Sequence, residues 1–148
     1  TFNGLDELKT AVGEHLGTSE WHEITQKMVD QFADATGDHQ WIHVDPERAK
    51  SGPFGTTIAH GYLTLSLAPM LSSEIWTIEG ITMAVNYGSN KVRFTQPVPV
   101  GSRVRGSIVL DSVDESPKGA QVAMTLTVEI EGQERPACVA QTLSVIVP

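Results

Sequence analysis

The ionisable side chains that could perform acid–base chemistry are concentrated in one stretch of the chain. Three of the five histidines and two aspartates lie between positions 38 and 60: Asp38, His39, His43, Asp45 and His60. From a non-helical segment, Asp38 and His43 can both reach one water molecule. The carboxylate would orient the water and the imidazole would accept its proton, because histidine titrates near neutral pH. Asp38 and His43 are therefore a candidate general acid–base pair.

A second chemical feature is the dipeptide His60-Gly61 at the predicted beginning of an apolar helix. The first amides of a helix are unpaired and carry a partial positive charge. Glycine lets a ligand approach its amide without a Cβ in the way. We therefore expect the Gly61 amide to stabilise a carbonyl oxygen in a transition state. Two simpler interpretations stay open: Asp38 hydrogen-bonds the loop amides that follow it, and His60 is a structural residue.

Other kinds of chemistry find less support in the sequence. Cys138 is the only cysteine, and no Cys/His cluster has metal-ligand spacing, so we expect no disulfide and no metal site. No serine lies in the glycine pattern of a nucleophile elbow. A single cysteine suits a reducing cytoplasm. No apolar run is long enough to span a membrane, and residues 1–6 lack the pattern of a signal sequence.

Charge narrows the range of partners. Ten basic and eighteen acidic residues give a net charge of −8, which disfavours binding to nucleic acid and to anionic membranes. The densest basic group occupies alternating positions, as on the face of a strand: Lys91, Arg93, Arg103 and Arg105. This group is either a solvated sheet surface or a contact for a polyanionic ligand, such as a cofactor that carries a nucleotide.

The elements that must position these residues can be predicted from hydrophobic periodicity. A chain of 148 residues suits one domain, residues 1–148. Leu5–Leu16 has apolar residues at helical spacing, and Trp21–Ile24 alternates like a short strand. Thr25 is a predicted N-cap for a helix that Gly37 ends.

The middle of the chain contains two segments with different hydrophobic patterns. Asp38–Thr57 shows no clean period and is predicted to be an ordered functional segment, with one helical turn at Pro46–Ala49. Ile58–Trp76 is apolar on all sides, which predicts a helix buried on all sides. Pro69 should kink or divide this helix because proline lacks a backbone donor.

The second half of the chain has a period of two. Four long strands joined by short turns are predicted: Ile81–Phe94, Arg103–Val113, Gln121–Glu131 and Ala137–Val147. Sequential strands with short turns form an antiparallel sheet. A sheet that wraps around one long apolar central helix gives an α+β fold. Its open edges favour a homodimer that hides them.

Two groups of motifs in the chain resemble the MaoC-like dehydratase family. The first is Phe-Ala-Asp-Ala-Thr-Gly-Asp-His-Gln-Trp-Ile-His-Val-Asp at 32–45, followed by Phe54 and by Ile-Ala-His-Gly at 58–61. The second is Asn-Tyr-Gly-Ser-Asn-Lys-Val-Arg-Phe at 86–94, followed by Pro-Val-Pro-Val-Gly-Ser-Arg-Val at 97–104. The resemblance covers about residues 20–147, nearly the whole chain.

The resemblance implies a hot-dog fold and (R)-specific hydration of trans-2-enoyl-CoA to (R)-3-hydroxyacyl-CoA, a reversible hydro-lyase reaction. Asp38 and His43 would then hold and deprotonate the water, and the Gly61 amide would polarise the thioester carbonyl. No metal or redox cofactor is expected, because the thioester already activates the β-carbon. The expected partners are an acyl-CoA substrate and a second copy of the chain.

The chain departs from the family pattern Asp-x-Asn-Pro-[Ile/Leu]-His at two positions. Gln40 replaces the asparagine and keeps its amide on a longer arm, while Trp41 replaces the proline and is expected to shape the acyl pocket. The residues predicted to bind substrate are Gln40, Trp41, His60, Asn86, Lys91 and Arg93, with the last two expected at the CoA phosphates.

The sequence leaves three alternatives open. A hot-dog acyl-thioesterase would share the fold, but such enzymes place a carboxylate near the beginning of the central helix, where this chain has His60 and no acid before Glu74. A subunit of a 3-hydroxyacyl-ACP dehydratase would perform the same chemistry on another carrier. A non-catalytic acyl-binding member of the family would not need both Asp38 and His43.

Overall fold

The computed structural model describes residues 1–148 as an antiparallel sheet with helices packed against one face. The helices are α1 (Leu5–Thr10), α2 (Gln26–Thr36), α3 (Trp41–Val44), α4 (Pro46–Ala49), α5 (Gly61–Ser66) and α6 (Ala68–Ile75). The strands are β1 (Phe2–Asn3), β2 (His15–Thr18), β3 (His22–Glu23), β4 (Ile78–Glu79), β5 (Met83–Arg93), β6 (Arg103–Ser116), β7 (Gly119–Ile130) and β8 (Cys138–Val147). None of the helices is long and apolar enough to cross a membrane.

The main sheet has six strands in the order β2-β6-β7-β8-β5, and β3 also pairs with β6. All of its pairings are antiparallel, as the short turns predicted. Alternate residues of β6 and β7 are fully buried, because one face of the sheet carries the core. β1 and β4 form a small separate parallel pair. The α+β prediction is confirmed.

Helix α2 forms where its capping residues predict it. The Thr25 hydroxyl accepts a hydrogen bond from the Met28 amide at 3.2 Å, and Gly37 ends the helix in the left-handed region at φ 86°. The predicted turn at Pro46–Ala49 is also present as α4, with proline in its first turn. The segment 38–57 holds one more helical turn than expected, α3, which carries His43.

The predicted helix over Leu5–Leu16 is too long. α1 ends at Thr10, and Leu16 belongs to β2, which pairs with β6. Gly13, at φ 89°, reverses the chain between them because L side chains avoid this region. The apolar residue at 16 therefore faces the core from a strand and not from a fourth helical turn.

The prediction that Pro69 kinks or divides the central helix is confirmed, and the prediction that this segment is buried on all sides is wrong. The segment forms two helices, α5 and α6, which meet at Leu67 two residues before Pro69. Proline cannot donate to the carbonyl four residues earlier, so the hydrogen-bond ladder breaks there. One face is also open: Tyr62 is 70% exposed and Met70 is 38% exposed. Leu63 and Leu71, on the other side, are buried.

Strand β5 is the open edge on the far side of the sheet. It pairs only with β8, and nearly all of its residues are exposed. Its exposed side chains include large apolar ones: Met83, Val85 and Tyr87, with Phe94 just after the strand. An exposed apolar edge next to the open face of α5 and α6 is a surface that a partner can cover.

Candidate active site

The loop after α2 positions the aspartate. Gly37 turns the chain out of the helix, so that Asp38 follows at its end. One carboxylate oxygen of Asp38 accepts a hydrogen bond from the Gln40 amide at 3.3 Å. This local bond is the structural role that the sequence left open for Asp38. The side chain is nevertheless exposed, and its second oxygen is free to bind a ligand.

His43 is buried, with 7% of its surface exposed, and its tautomer is fixed by the backbone. Its Nδ1 lies 2.7 Å from the carbonyl oxygen of Ile58. A carbonyl only accepts, so Nδ1 carries the proton and Nε2 of the neutral ring keeps a free lone pair. An imidazole held in this way can accept a proton at Nε2 from a bound water.

His60 is even more buried, with 2% exposed, and has the opposite tautomer. Its Nε2 donates to the backbone carbonyl of Asp38 at 3.0 Å, while its Nδ1 has no hydrogen-bond partner. The ring stacks on His43 with 3.9 Å between the centroids and contacts Phe32 at 4.9 Å. His60 therefore joins the beginning of α5 to the loop of Asp38 and to the ring of His43.

The structure brings Asp38, His43 and His60 together. One side-chain oxygen of Asp38 and one ring nitrogen of each histidine lie within 4.8 Å of one another. The two rings are only 24° from parallel, so their lone pairs do not point at one common ion, as a tetrahedral metal site requires. The arrangement fits a small polar ligand such as a water molecule better than a metal.

Gln26 is a residue of this site that sequence reasoning missed. Its Nε2 donates to the backbone carbonyl of His43 at 2.8 Å, and its Oε1 accepts from the Thr57 hydroxyl at 2.6 Å. The side chain thereby ties α2 to the two segments that carry His43 and His60. No motif marks a glutamine in the first turn of an amphipathic helix, so only its inward orientation could have pointed to it.

The segment before α5 is also held by the turn at 97–101. The amide of Ala59 donates to the carbonyl of Val98 at 2.8 Å, and the amide of Val100 donates to the carbonyl of Thr57 at 2.9 Å. Residue 61 follows directly, with its amide at the unpaired beginning of α5. The helix begins at residue 61 because residues 57–59 are held in extended pairing.

Gly61 is required by packing as well as by access. A Cβ at position 61 would come within 3.0 Å of ring carbons of Phe94. Phe94 in turn packs edge-on against Tyr62, with 5.9 Å between ring centroids. The sequence predicted that this glycine gives room to a ligand, and the structure shows an aromatic ring against the position that its Cβ would occupy.

The two residues that depart from the family pattern lie beside the site. Gln40 precedes α3, and its carbonyl accepts from the His43 amide at 3.0 Å, while its exposed side chain forms no hydrogen bond. The ring of Trp41 packs against Gly52 and under the guanidinium of Arg48, 4.3 Å from the ring centroid. Trp41 therefore packs within its own loop.

The other predicted substrate-binding residues lie apart from the histidines. Asn86 lines a cavity between the helices and the sheet. Lys91 and Arg93 line a groove of about 390 Å³ with side chains of β7 and β8. The other two members of the basic group, Arg103 and Arg105, form ion pairs with Glu131 and Glu129. Only the first two are free for an anionic ligand.

Two further titratable residues lie outside the site. The carboxylate of Glu74, in α6, accepts hydrogen bonds from Nε2 of His22 at 2.6 Å and from the Glu20 amide at 3.0 Å. Cys138 is fully buried, and burial raises the pKa of its thiol to about 11. Neither residue belongs to the cluster around His43.

Comparison with known proteins places this geometry in a family. The MaoC like domain matches residues 7–133. The chain belongs to the MaoC-like domain family. The 3-hydroxyacyl-thioester dehydratase Z of Mycobacterium tuberculosis H37Rv is 56% identical over 144 residues, which cover 97% of this chain and 95% of that protein. Nodulation protein N of Rhizobium leguminosarum bv. viciae is 48% identical and covers 96% of this chain and 90% of its own length.

Solved structures support the same fold. The (R)-hydratase of A. caviae involved in PHA biosynthesis superposes with a TM-score of 0.75 at 23% identity, covering 93% of this chain and 96% of that one. The MaoC-like chain therefore has the hot-dog fold, with a sheet around central helices. The match to the MaoC like domain and the dehydratase relative identify it as a hydro-lyase, an enzyme that adds water to a double bond or removes it.

Proposed function

We propose that this MaoC-like protein hydrates trans-2-enoyl-CoA to (R)-3-hydroxyacyl-CoA and catalyses the reverse dehydration. The observation that carries the proposal is the group of Asp38, His43 and His60, in which the backbone fixes both tautomers. A relative that is 56% identical is named for 3-hydroxyacyl thioesters, and a structural neighbour is an (R)-hydratase. Both names support the substrate class.

The proposed step uses Asp38, His43 and the Gly61 amide. Asp38 and Nε2 of His43 hold a water molecule, and its oxygen forms a bond to the β-carbon as one O–H bond breaks. His43 takes that proton while the π electrons move through Cα to the thioester oxygen. The Gly61 amide stabilises this negative oxygen, and the loss of such a donor typically costs about 100- to 1,000-fold in rate. The proton then passes from the same pair to Cα.

This chemistry needs no metal and no redox cofactor, because the thioester carbonyl supplies the electron sink. CoA is the proposed carrier because Lys91 and Arg93 form no ion pair and line one groove, where they can contact phosphate groups. An ACP carrier is the second candidate, supported by a fold-level likeness to the HadBC (3R-hydroxyacyl-ACP dehydratase) complex at a TM-score of 0.71.

A thioesterase activity is less well supported. The nearest acid along the helical segment, Glu74, lies at its far end and is engaged by His22 and the Glu20 amide. No acidic residue therefore belongs to α5 or directly precedes it, and the carboxylate nearest its beginning is that of Asp38, from the loop after α2. A water held by Asp38 and His43 suits addition to the β-carbon.

We also propose that two copies form a homodimer through β5. The unpaired edge of this strand is 11 residues long, and exposed apolar side chains lie on it and on the neighbouring helix face. Antiparallel pairing of β5 with its own copy would be self-complementary, as a twofold interface requires. β5 contains no acidic residue, so no two carboxylates would face each other across the proposed strand pair.

The decisive experiment follows the enoyl-thioester absorbance with crotonyl-CoA and with trans-2-decenoyl-CoA, beside a parallel cuvette that contains a thiol reagent. We expect loss of the absorbance without thiol release. The thiol of the protein does not interfere, because Cys138 is buried and its pKa is raised to about 11. Thiol release would identify a thioesterase. No change in either cuvette, followed by turnover of an enoyl-ACP, would identify the ACP carrier.

A further inference from the structure

The cavity between the helices and the sheet is open to solvent and has a partly polar lining. It has a volume of about 460 Å³ and lies beside α5, α6, β5 and β8. Its floor is apolar, with Ile108, Met124 and Leu126 from the core strands. The rest of its wall combines apolar residues of the helices and of β8 with six polar side chains: Ser66, Ser72, Asn86, Ser89, Thr142 and Ser144.

Strand register shows that four of these side chains form one patch. Asn86 lies opposite Ser144, and Ser89 lies opposite Thr142, in the β5–β8 pair. Thr142 is in turn opposite Met124, which faces the core. Directly opposed residues share one face of an antiparallel sheet, so the patch lies on the inner face, where apolar residues are the rule.

The patch has hydrogen-bonding capacity that the chain does not use. Ser66 donates to the carbonyl of Tyr62, Ser72 accepts from the indole of Trp76, and Thr142 makes a long contact of 3.4 Å to the carbonyl of Met124. The amide of Asn86 and the hydroxyls of Ser89 and Ser144 form no hydrogen bond within the chain. Covering them with a plain hydrocarbon would leave them without partners, which costs free energy.

The position of the cavity relates it to the acyl group. It begins one helical turn beyond Gly61, and Ser66 lies about 8 Å from Gly61 along α5, at about 1.5 Å per residue. Ser72 follows farther along, in α6. A thioester whose carbonyl contacts the Gly61 amide can extend its acyl chain into this space. No charged residue lines the cavity, so it offers no partner to a carboxylate or an ammonium group.

We propose that the acyl group this enzyme accepts carries a neutral polar substituent, such as a hydroxyl or a keto group, far from the reacting carbons. This inference rests on the proposed hydration of an enoyl thioester and adds the class of acyl chain. Asn86 and Ser144 are the residues that recognise the substituent from the sheet, and Ser72 recognises it from α6.

The test compares trans-2-octenoyl-, decenoyl- and dodecenoyl-CoA with their ω-hydroxy derivatives. We expect kcat/KM to favour the hydroxylated ester by about tenfold at one of these lengths, which corresponds to about 1.4 kcal/mol. Ser144→Val and Ser72→Ala should bring this ratio close to one. Thr127→Val is the matched control, because Thr127 lies between two inward residues of β7 and faces outward, so its ratio should stay that of the wild type.

Equal kcat/KM values for both esters at all three lengths would overturn the inference. They would indicate that the polar patch serves only contact between two copies. A binding measurement keeps the inference independent of turnover: titration calorimetry with decanoyl-CoA and with its ω-hydroxy derivative should give the same preference in Kd. Absence of binding, or equal affinity, would overturn it. A retained preference in Kd without hydration of any ester, crotonyl-CoA included, would overturn only the proposed reaction.

Discussion

The two ends of the segment formed by α5 and α6 differ in how many polar groups nearby have hydrogen-bond partners within the chain. At the beginning of α5, His43 and His60 are buried, and each ring donates to a backbone carbonyl. Farther along, Asn86 and Ser144 line a cavity without partners, beside a strand that is exposed on both faces. One chain thus fixes the two histidine rings by itself and leaves the polar groups of the cavity free for the proposed acyl ligand and the proposed second copy.

The largest effect is expected at the site of Asp38 and His43. Asp38→Asn and His43→Gln each remove one holder of the proposed water but keep the size of the side chain. Both variants should fold and should lose hydration activity by roughly 100-fold or more, as for positioned acid–base groups. Steady-state kinetics with circular dichroism as the folding control checks this. Near-normal turnover in either variant would contradict the assignment.

The next largest effect is expected at the exposed edge of β5, where an added charge should weaken the proposed dimer. Val85→Asp places an acid on the exposed edge of β5, and a twofold axis would bring two such acids close together. We expect the dimer dissociation constant to rise about 30-fold, the equivalent of about 2 kcal/mol. Light scattering after gel filtration over a dilution series measures it. Thr127→Asp adds the same charge to a central strand and should leave the assembly intact. Equal behaviour of the two variants would place the interface elsewhere.

A smaller effect on turnover is expected when the segments that carry His43 and His60 are held less rigidly. Gln26→Leu removes the bonds from α2 to the His43 carbonyl and to the Thr57 hydroxyl. We expect kcat to fall about tenfold with little change in KM, and the free energy of unfolding to fall by about 1–2 kcal/mol. Gln31→Leu is the control, since Gln31 is exposed on the same helix. If both variants lose only stability, Gln26 does not position His43.

The smallest effect is expected at the groove lined by Lys91 and Arg93. Lys91→Ala and Arg93→Ala should each raise KM for an acyl-CoA about threefold without a change in kcat, a loss typical of exposed charge pairs. Added salt should shrink the difference between variant and wild type, because it screens exposed charges. Lys118→Ala removes a cation from the β6–β7 turn and serves as the control. A KM that does not change in either variant would remove the groove from the CoA site.

Local patterns allowed the frame of the molecule to be predicted from the sequence. Strict alternation marks the four long strands, and Thr25 and Gly37 mark the ends of α2. The spacing of Asp38 and His43 also pointed to the loop that brings them together. In each case the signal lies within a few neighbouring residues, because helix capping, turn formation and strand alternation depend on local contacts.

What the sequence could not supply depends on distant contacts. The tautomer of His43 is set by the carbonyl of Ile58, 15 residues later, and Gln26 acts on a carbonyl 17 residues away. An apolar helix looks equally buried whether a partner covers it or its own sheet does, so the open face at Tyr62 went unpredicted. Leu16 fitted a helical stripe by chance and is in a strand.

The break at Leu67 has a consequence for how such enzymes diverge. α5 begins beside His43 and His60, whereas α6 contributes Ser72 to the cavity at the other end, with Trp76 just after the helix. The two helices do not share a continuous hydrogen-bond ladder, so substitutions in α6, or even the loss or gain of a residue there, need not rotate the residues at the beginning of α5. Under the proposed function, the acyl-binding part of the enzyme can therefore change in evolution while the acid–base part is inherited unchanged.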